Sequence, residues 1–345
     1  MALAHLQFRV YVGYPRYRHR DFQQGSEEFH GYGVMVSSVP INILCATDNG
    51  YAPYCGIMLT SLFENNKECE MRVFVFVDKE FSTVNRRKYE RLGRKYGCPI
   101  LVTIVEDSLL EGFPVYRTSH AITLPTYFRL LAAKLLPEDV RRVIYLDCDI
   151  IVRGSLMPLW EMDMEGMIIA GVKDSGNHYQ VESFDQLGYP TSWGYFNAGV
   201  LVIDLSAWRL QGVDQQILSF INEYGDKLTM MDQDVLNGVL FDRKKFLPER
   251  YNFQMLFFRR WLRELYPESF QTTLRNEQLI AVIIHYCDTP KPWCLTYQGE
   301  PYHSEWDKYR KKSSWKCSQQ RPPFRKLLVR WVKRNLFPNL YNCVS

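Results

Sequence analysis

The sequence predicts an α/β protein with a mainly parallel sheet, followed by a basic helical tail. Three observations lead there. Strand and helix patterns alternate three times within residues 41–105, which is how βα units assemble a parallel sheet. The strands read as continuous apolar runs, the pattern of strands covered on both faces, and several of them end in polar or acidic clusters. Finally, eleven of the 42 Lys/Arg and none of the 38 Asp/Glu fall in residues 308–345, which leaves the rest of the chain near a formal charge of −7. That asymmetry marks the C-terminal stretch as a separate electrostatic object.

At 345 residues, 46% hydrophobic and 14% aromatic, the chain has material for one large domain with an appendage or for two smaller ones. Its nine cysteines are scattered, several of them inside apolar runs and without any Cys-x-x-Cys pair, as expected of reduced core residues in a cytosolic protein. No apolar stretch approaches the roughly 18 residues of a transmembrane helix, and the N-terminus lacks the apolar core of a secretory signal. The expected location is therefore cytoplasmic. Residues 1–34 mix Arg, Tyr, Gly and His with little periodicity, and Met35 precedes a short polar spacer. We expect residues 1–38 to be a dispensable extension, 39–306 the folded domain and 307–345 the tail.

The elements follow in order. Ile41–Thr47 is a buried strand ending in Asp48-Asn49-Gly50, and a polar cluster at the C-terminal end of a strand is where an open α/β sheet places its ligand. Turn formation accounts for such clusters equally well. Pro53 opens a helix through Asn65, as proline does in a first turn. Strand Met71–Val77, a charged helix from Ser82 to Tyr96 and strand Ile100–Val105 follow. A helix over Pro125–Leu136 carries Tyr127 and Arg129, and Pro137 ends it. Met167–Val172 is a strand ending in Lys173-Asp174. Trp193–Asp204 combines small residues with a strand, suggesting backbone that approaches a ligand closely. A helix over Val213–Tyr224 leads to Asp232-Gln233-Asp234 at a further helix start, where capping and the helix dipole are a sufficient reason for the acids. The last strand, Leu279–Ile284, ends in His285, with Lys291 six residues on.

The centre of the chain is Arg142–Val152, an apolar run interrupted only by Asp147-Cys148-Asp149. Read as one strand, it presents Asp147 and Asp149 on the same side and Cys148 on the other. Acids inside an apolar run must be paired, protonated or metal-bound, and a divalent cation is the simplest partner. A histidine at another strand end offers a further metal ligand, and a nearby lysine a compact cation for phosphate.

Together these pieces resemble glycosyltransferase family 8 over residues 41–293. Ala46-Thr47-Asp48-Asn49-Gly50-Tyr51 is similar to the family's first nucleotide-binding loop. Thr126–Leu130 resembles its Tyr-x-Arg helix, and Tyr145–Asp149 its Asp-x-Asp strand. Phe196–Val200 and Asp232–Asn237 are similar to its Phe-Asn-(Ser/Ala)-Gly segment and its Asp-Gln-Asp-x-x-Asn helix. His285 to Lys291-Pro292-Trp293 resembles its closing signature, with five residues between His and Lys. Six motifs in the family's order are highly specific. One departure stands out: the best-known members have a glycine three residues after the histidine, where this chain has Asp288.

The resemblance implies a GT-A, Rossmann-like nucleotide-sugar domain with a mixed, mainly parallel sheet, and a retaining transfer of galactose or glucose from a UDP-sugar to a glycan acceptor such as lipopolysaccharide. It implies donor contacts from Ala46, Asp48, Asn49 and Tyr51 at the base and ribose. Asp147, Cys148, Ala198 and Lys291 belong to the same donor set. Arg129, Asp174, Asn197 and Asp232 are expected on the sugar hydroxyls, with Gln233 beside the anomeric carbon, so that Gln233, Asp232 and Asp149 form the catalytic group. Asp147, Asp149 and His285 are the expected metal ligands. An imidazole in that set favours Mn²⁺, with Mg²⁺ the harder alternative that prefers oxygen and water. Two other classes use similar residues: a metal-dependent phosphohydrolase, and a non-catalytic module binding a membrane surface.

In the tail, Phe324, Leu327, Leu328, Trp331, Val332 and Leu336 recur at helical spacing, while Arg325, Lys326, Arg330, Lys333 and Arg334 take the other face. This predicts an interfacial amphipathic helix that holds the protein at the inner face of an anionic membrane, within reach of a lipid-linked acceptor. Packing of the same helix on the acidic body is the other expectation. Nucleic acid is not an expected partner, since no base-stacking array accompanies the charge.

Overall fold

The computed structural model describes residues 40–114, 124–175, 185–259, 264, 266–287, 289–294, 297 and 299–316. The expected N-terminal extension, the amphipathic helix at 324–336 and Asp288 lie outside these residues.

The expected sheet is present. Seven strands, β1 (Ile41–Thr47), β2 (Met71–Val77), β3 (Ile100–Ile104), β4 (Arg142–Leu146), β6 (Ile169–Lys173), β7 (Phe196–Asp204) and β8 (Lys244–Leu247), lie in the order β3-β2-β1-β4-β7-β6-β8. β1 pairs in parallel with β2 and β4, β2 with β3, and β6 with β8; only β7 runs antiparallel, to β4 and to β6. Apolar runs suit this sheet because both faces are covered. Along β4, Val143 and Tyr145 pack into one core cluster while Ile144 and Leu146 pack into another. Each such burial stabilises the fold by about 1.5–3 kcal/mol.

Helix α1 (Ala52–Asn65) starts at Pro53 as expected and is buried almost all round. Helix α2 (Thr83–Tyr96) is capped by Ser82, whose hydroxyl accepts from the Asn85 N–H, and is closed by Gly97 in the left-handed conformation. The stretch expected as a helix over 125–136 is tighter: 3-10 geometry runs over Leu124–Leu131, and only α3 (Ala132–Leu135) is α-helical. Beyond it come the short α4 (Met157–Trp160) and α5 (Leu205–Leu210), then α6 (Val213–Tyr224) and α7 (Asp232–Val239).

The central run differs from the expectation in a way that makes the site. Arg142–Val152 is not one strand. β4 ends at Leu146, Asp147–Asp149 turn, and β5 (Ile150–Val152) leaves the large sheet to join a separate three-stranded one. There β10 (Ile283–His285) pairs antiparallel with β5 and parallel with β9 (Phe253–Gln254), with His285 opposite Ile150. The acids thus sit at the junction of two sheets, and the strand that carries the histidine is the direct neighbour of the one that follows them. The expected strand Leu279–Ile284 is also shorter: α8 (Glu268–Leu279) runs into it, and Leu279 and Ile280 are exposed while Ile283–His285 find strand partners.

Helix α9 (His303–Lys312) crosses the position at 306/307 where the domain was expected to give way to the tail. It lies on α1 with Trp306 and Tyr309 buried, and the Asn65 side-chain amide donates to the Tyr309 hydroxyl at 2.7 Å. Trp315 follows it into the core, its ring so close to Gly56 that a Cβ there would lie 2.2 Å away. The first part of the basic stretch is therefore packed on the body. Among the described residues no helix is long and apolar enough to cross a membrane.

Candidate active site and metal centre

The turn after β4 opens a cleft lined by Ala46, Asp48 and Tyr51 from the β1 end, Thr126 and Arg129 from the 3-10 segment, and Asp147, Cys148 and Asp149. Asp147, Asp149 and His285 each offer a ligand atom, and these atoms lie within 4.8 Å of one another. The three arrive from two sheets, which is why sequence periodicity alone could not bring them together.

Each carboxylate has one oxygen held and one turned inward. Asp147 Oδ1 accepts from Arg129 at 2.9 Å and from the Tyr145 hydroxyl at 2.9 Å, while Oδ2 faces His285 Nε2 at 4.0 Å. Asp149 Oδ2 accepts from Lys291 Nζ at 2.7 Å, and Oδ1 faces the same Nε2 at 3.4 Å. Burial pushes the Asp149 carboxyl up, but the charged groups beside it, the Lys291 ammonium first among them, more than offset that and hold it below the usual carboxylate range. His285 Nδ1 lies 2.9 Å from Asn252 Oδ1. An amide oxygen only accepts, so Nδ1 carries the hydrogen and Nε2 directs its lone pair at the carboxylates. Two inward oxygens and one imidazole nitrogen, all within 4.8 Å of one another, are a set that can hold a divalent cation.

Glycine is required at this point. A Cβ on Gly199 of β7 would lie 2.3 Å from His285 Cε1 and 2.9 Å from Asp147 Oδ2, inside any tolerable contact. Gly199 also holds the turn, its carbonyl accepting from the Asp147 N–H at 2.8 Å.

Arg129 is the hub of the other half. Its guanidinium lies over the Tyr145 ring, 4.2 Å from the centroid, reaches Asp147 and Asp232 at 2.9 Å each, and donates to the Ala198 carbonyl. Burial pushes the Asp232 carboxyl up to about 7 in spite of this arginine. Asp232 opens α7 directly after Met231, which is buried with φ +49°, a positive φ unusual for a side chain of that size. Gln233 is fixed at both ends: its carbonyl accepts from the Ala198 N–H at 2.8 Å and its amide donates to Asp174 Oδ2 at 3.1 Å. Asn197 donates to the same Asp174 oxygen at 2.9 Å. Asp234, by contrast, accepts from the Tyr195 hydroxyl and from the Thr229 and Met230 N–H groups, which is scaffolding of the helix start.

Most of the expected site residues therefore converge: Ala46, Asp48, Tyr51, Arg129, Asp147, Cys148 and Asp149 on the cleft, and Asp174, Asn197, Ala198, Asp232, Gln233, His285 and Lys291 in contact with them or with one another. Asn49 does not line the cleft. Its carbonyl accepts from the Ser82 N–H at 2.8 Å and from Asn85, and its amide donates to the Glu80 carbonyl, so it ties the β1 loop to the start of α2. Cys148 turns its thiol back to the Ala46 carbonyl at 3.1 Å, away from the carboxylates that flank it. Tyr145, Gly199 and Asn252 join the site beyond the sequence expectation: the first two lie inside motifs of the family, and Asn252 shows in sequence only as a polar residue between two aromatics, Tyr251 and Phe253.

The family model Glycosyl transferase family 8 matches residues 42–296. General stress protein A of Bacillus subtilis is 32% identical over 280 residues, covering 79% of this chain and 93% of its own length. The lipopolysaccharide 1,3-galactosyltransferase of Salmonella typhimurium is 25% identical, covering 89% of each chain. Among solved structures, the galactosyltransferase LgtC in complex with donor and acceptor sugar analogues superposes with a TM-score of 0.70 at 27% identity, over 79% of this chain and 96% of that one.

Proposed function

The chain belongs to glycosyltransferase family 8 and is a glycosyltransferase of GT-A fold, using a nucleotide sugar and a glycan acceptor; from that premise we propose that it moves galactose or glucose from a UDP-sugar, with retention, onto a surface glycan of the lipopolysaccharide type. The observation that supports this best is the set of two inward carboxylate oxygens and one imidazole lone pair within 4.8 Å, beside a buried Arg–Asp–Gln cluster. Asp147, Asp149 and His285 would hold Mn²⁺. Bound there, the cation supplies Lewis-acid neutralisation of the diphosphate leaving group.

The chain's own groups do the rest. Lys291 already clamps the outer oxygen of Asp149, with its ammonium also on the Tyr286 carbonyl at 2.7 Å, so the inner oxygen stays available for a ligand bond while the lysine adds positive charge next to the phosphates. Electrostatic groups of this kind are commonly the largest catalytic contribution, at several kcal/mol for a well-placed one. Asp48 accepts from the Tyr51 N–H at 2.8 Å, which sets the loop that would hold uracil and ribose. Arg129, Asp174, Asn197 and Asp232 would orient the sugar hydroxyls. Gln233, an amide and a poor nucleophile, would stabilise an oxocarbenium-like transition state on the face where the acceptor attacks. A lipid-linked acceptor would be met at the inner membrane through the basic tail.

The test is incubation with a panel of UDP-hexoses and candidate glycans, followed by mass spectrometry of the product. Transfer of one hexose with release of UDP is expected in Mn²⁺, silenced by chelation. Asp149→Asn should cut turnover by orders of magnitude in a protein that stays folded, with a melting temperature lowered by the loss of the Lys291 pair. Near wild-type activity of that variant in Mn²⁺, or activity that survives chelation, would overturn the metal assignment.

A further inference from the structure

We propose that Asn252 is a positioning residue that fixes the ligating nitrogen of His285 and links the metal centre to the side chains that handle the sugar. The inference rests on the metal reading above. Asn252 is fully buried, between the 3-10 turn Glu249–Tyr251 and β9, so both ends of its amide need partners. It has one on each side of the site. Oδ1 sits 2.9 Å from His285 Nδ1, and Nδ2 donates to Asn197 Oδ1 at 2.9 Å.

The first contact decides where the imidazole proton resides. His285 Nε2 stands 3.4 Å and 4.0 Å from Asp149 and Asp147, and two carboxylates draw a proton to that nitrogen. A proton there would occupy the lone pair that a metal needs. Asn252, able only to accept at Oδ1, holds the hydrogen on Nδ1 instead. The second contact continues through the site: Asn197, itself accepting from the Gly199 N–H at 3.0 Å, donates to Asp174, and Gln233 donates to the same Asp174 oxygen. One string of hydrogen bonds therefore runs from the metal ligand to the side chain assigned to the transition state.

Two substitutions separate the two ends. Asn252→Leu removes both contacts. Asn252→Asp keeps an acceptor for His285 Nδ1–H but faces Asn197 Oδ1 with a second acceptor. The readouts are Mn²⁺ binding in the presence of UDP, followed by the EPR signal of free Mn²⁺, and the ¹⁵N spectrum of histidine-labelled, metal-free protein. We expect Asn252→Leu to weaken Mn²⁺ binding about 10- to 100-fold and to move the His285 proton from Nδ1 to Nε2. Asn252→Asp should stay within a few-fold of wild type in Mn²⁺ binding and lose kcat/KM for the UDP-sugar. An Asn252→Leu protein that binds Mn²⁺ as tightly as wild type, or leaves the ¹⁵N spectrum unchanged, overturns the proposal. Should that variant fail to fold, Asn252→Asp decides alone: retained Mn²⁺ affinity together with a lost kcat/KM supports the role, and a tenfold or greater loss of affinity, or an unchanged kcat/KM, overturns it. A wild type that binds no Mn²⁺ removes the metal reading and this inference together, whereas a wild type that binds beside an unaffected Leu variant removes only the inference.

Discussion

At the scale of single residues, burial brings an acid and a base in different parts of the fold to the same pKa, about 7. Asp232 is pushed up to about 7 by burial, with Arg129 opposing, and Lys244, inside an aromatic box of Tyr189, Phe196 and Phe246, is pushed down to about 7 by burial. For Asp232 the folded chain keeps a proton that the unfolded chain releases between about pH 4 and pH 7, so stability falls as pH rises through that interval. For Lys244 the unfolded chain holds the extra proton above about pH 7, so its effect is a rise in stability with pH there. The two windows do not overlap. In chelator, the melting temperature of the wild type is therefore expected to decline between about pH 5 and pH 7, at most by the equivalent of about 1.4 kcal/mol per pH unit, and Asp232→Asn should flatten the decline. An unchanged slope in the variant would show that Asp232 titrates as an ordinary carboxylate. Gln233 makes a different prediction, because its side chain is oriented by the Ala198 N–H and the Asp174 carboxylate and stays neutral itself. Gln233→Ala should lower kcat by about 10- to 100-fold, the size of one transition-state contact, with little change in KM for the UDP-sugar. Equal losses in UDP affinity would instead mean that the start of α7 has collapsed.

At the scale of elements, the residues of the site are legible in the sequence, whereas their convergence follows from the family resemblance and not from periodicity. Asp147 and Asp149 stand out because acids break an apolar run, and His285 because it ends one. What periodicity cannot report is that β5 leaves the large sheet and pairs with β10, since strand pairing depends on contacts between residues more than a hundred positions apart. The same holds for Asn49. Its turn-forming type was evident, but only the fold shows that its side chain meets Ser82, Asn85 and Glu80. The 3-10 stretch Leu124–Leu131 follows the apolar spacing of an α-helix closely enough to be read as one, and the difference matters because Arg129 Nε also donates to the Thr126 carbonyl three residues back, at 3.1 Å. Gly199 is where the β7 backbone bears directly on the metal centre. Gly199→Ala should leave a folded protein, destabilised by about 1–3 kcal/mol through overpacking, and its Mn²⁺ affinity should drop because His285 and Asp147 must separate to admit the methyl group. Calorimetric Mn²⁺ binding alongside a thermal melt checks this; unaltered affinity would count against the assignment of these ligands.

At the scale of the molecule, the question is how the acidic body and the basic C-terminal stretch share their work. Helix α9 and Trp315 answer for the first part of that stretch. Lys312 pairs with Glu64, whose carboxyl is held down to about 2 by that contact and by the Tyr96 hydroxyl, and Trp315 packs against α1 and the Tyr89 ring at 5.4 Å. The groups that remain are those from Arg321 onward, where charged and apolar residues alternate at helical spacing. If these residues meet an anionic membrane as we propose, attraction to the lipid would contribute about 1 kcal/mol for each Lys/Arg near the surface, and the apolar residues at helical spacing, Phe324 and Trp331 among them, would add burial in the headgroup region. Truncation after Cys317 separates this from the body's stability, because it leaves Trp315 in place. The shortened chain is expected to melt like the full one and to transfer hexose to a water-soluble acceptor at the same rate. It should no longer co-sediment with anionic vesicles, while the full chain should pellet with anionic vesicles, less so with neutral ones, and come off as salt is raised. Equal pelleting of both chains, or binding that ignores salt, would remove the membrane role, and a drop in melting temperature on truncation would assign residues 318–345 to packing on the acidic body instead.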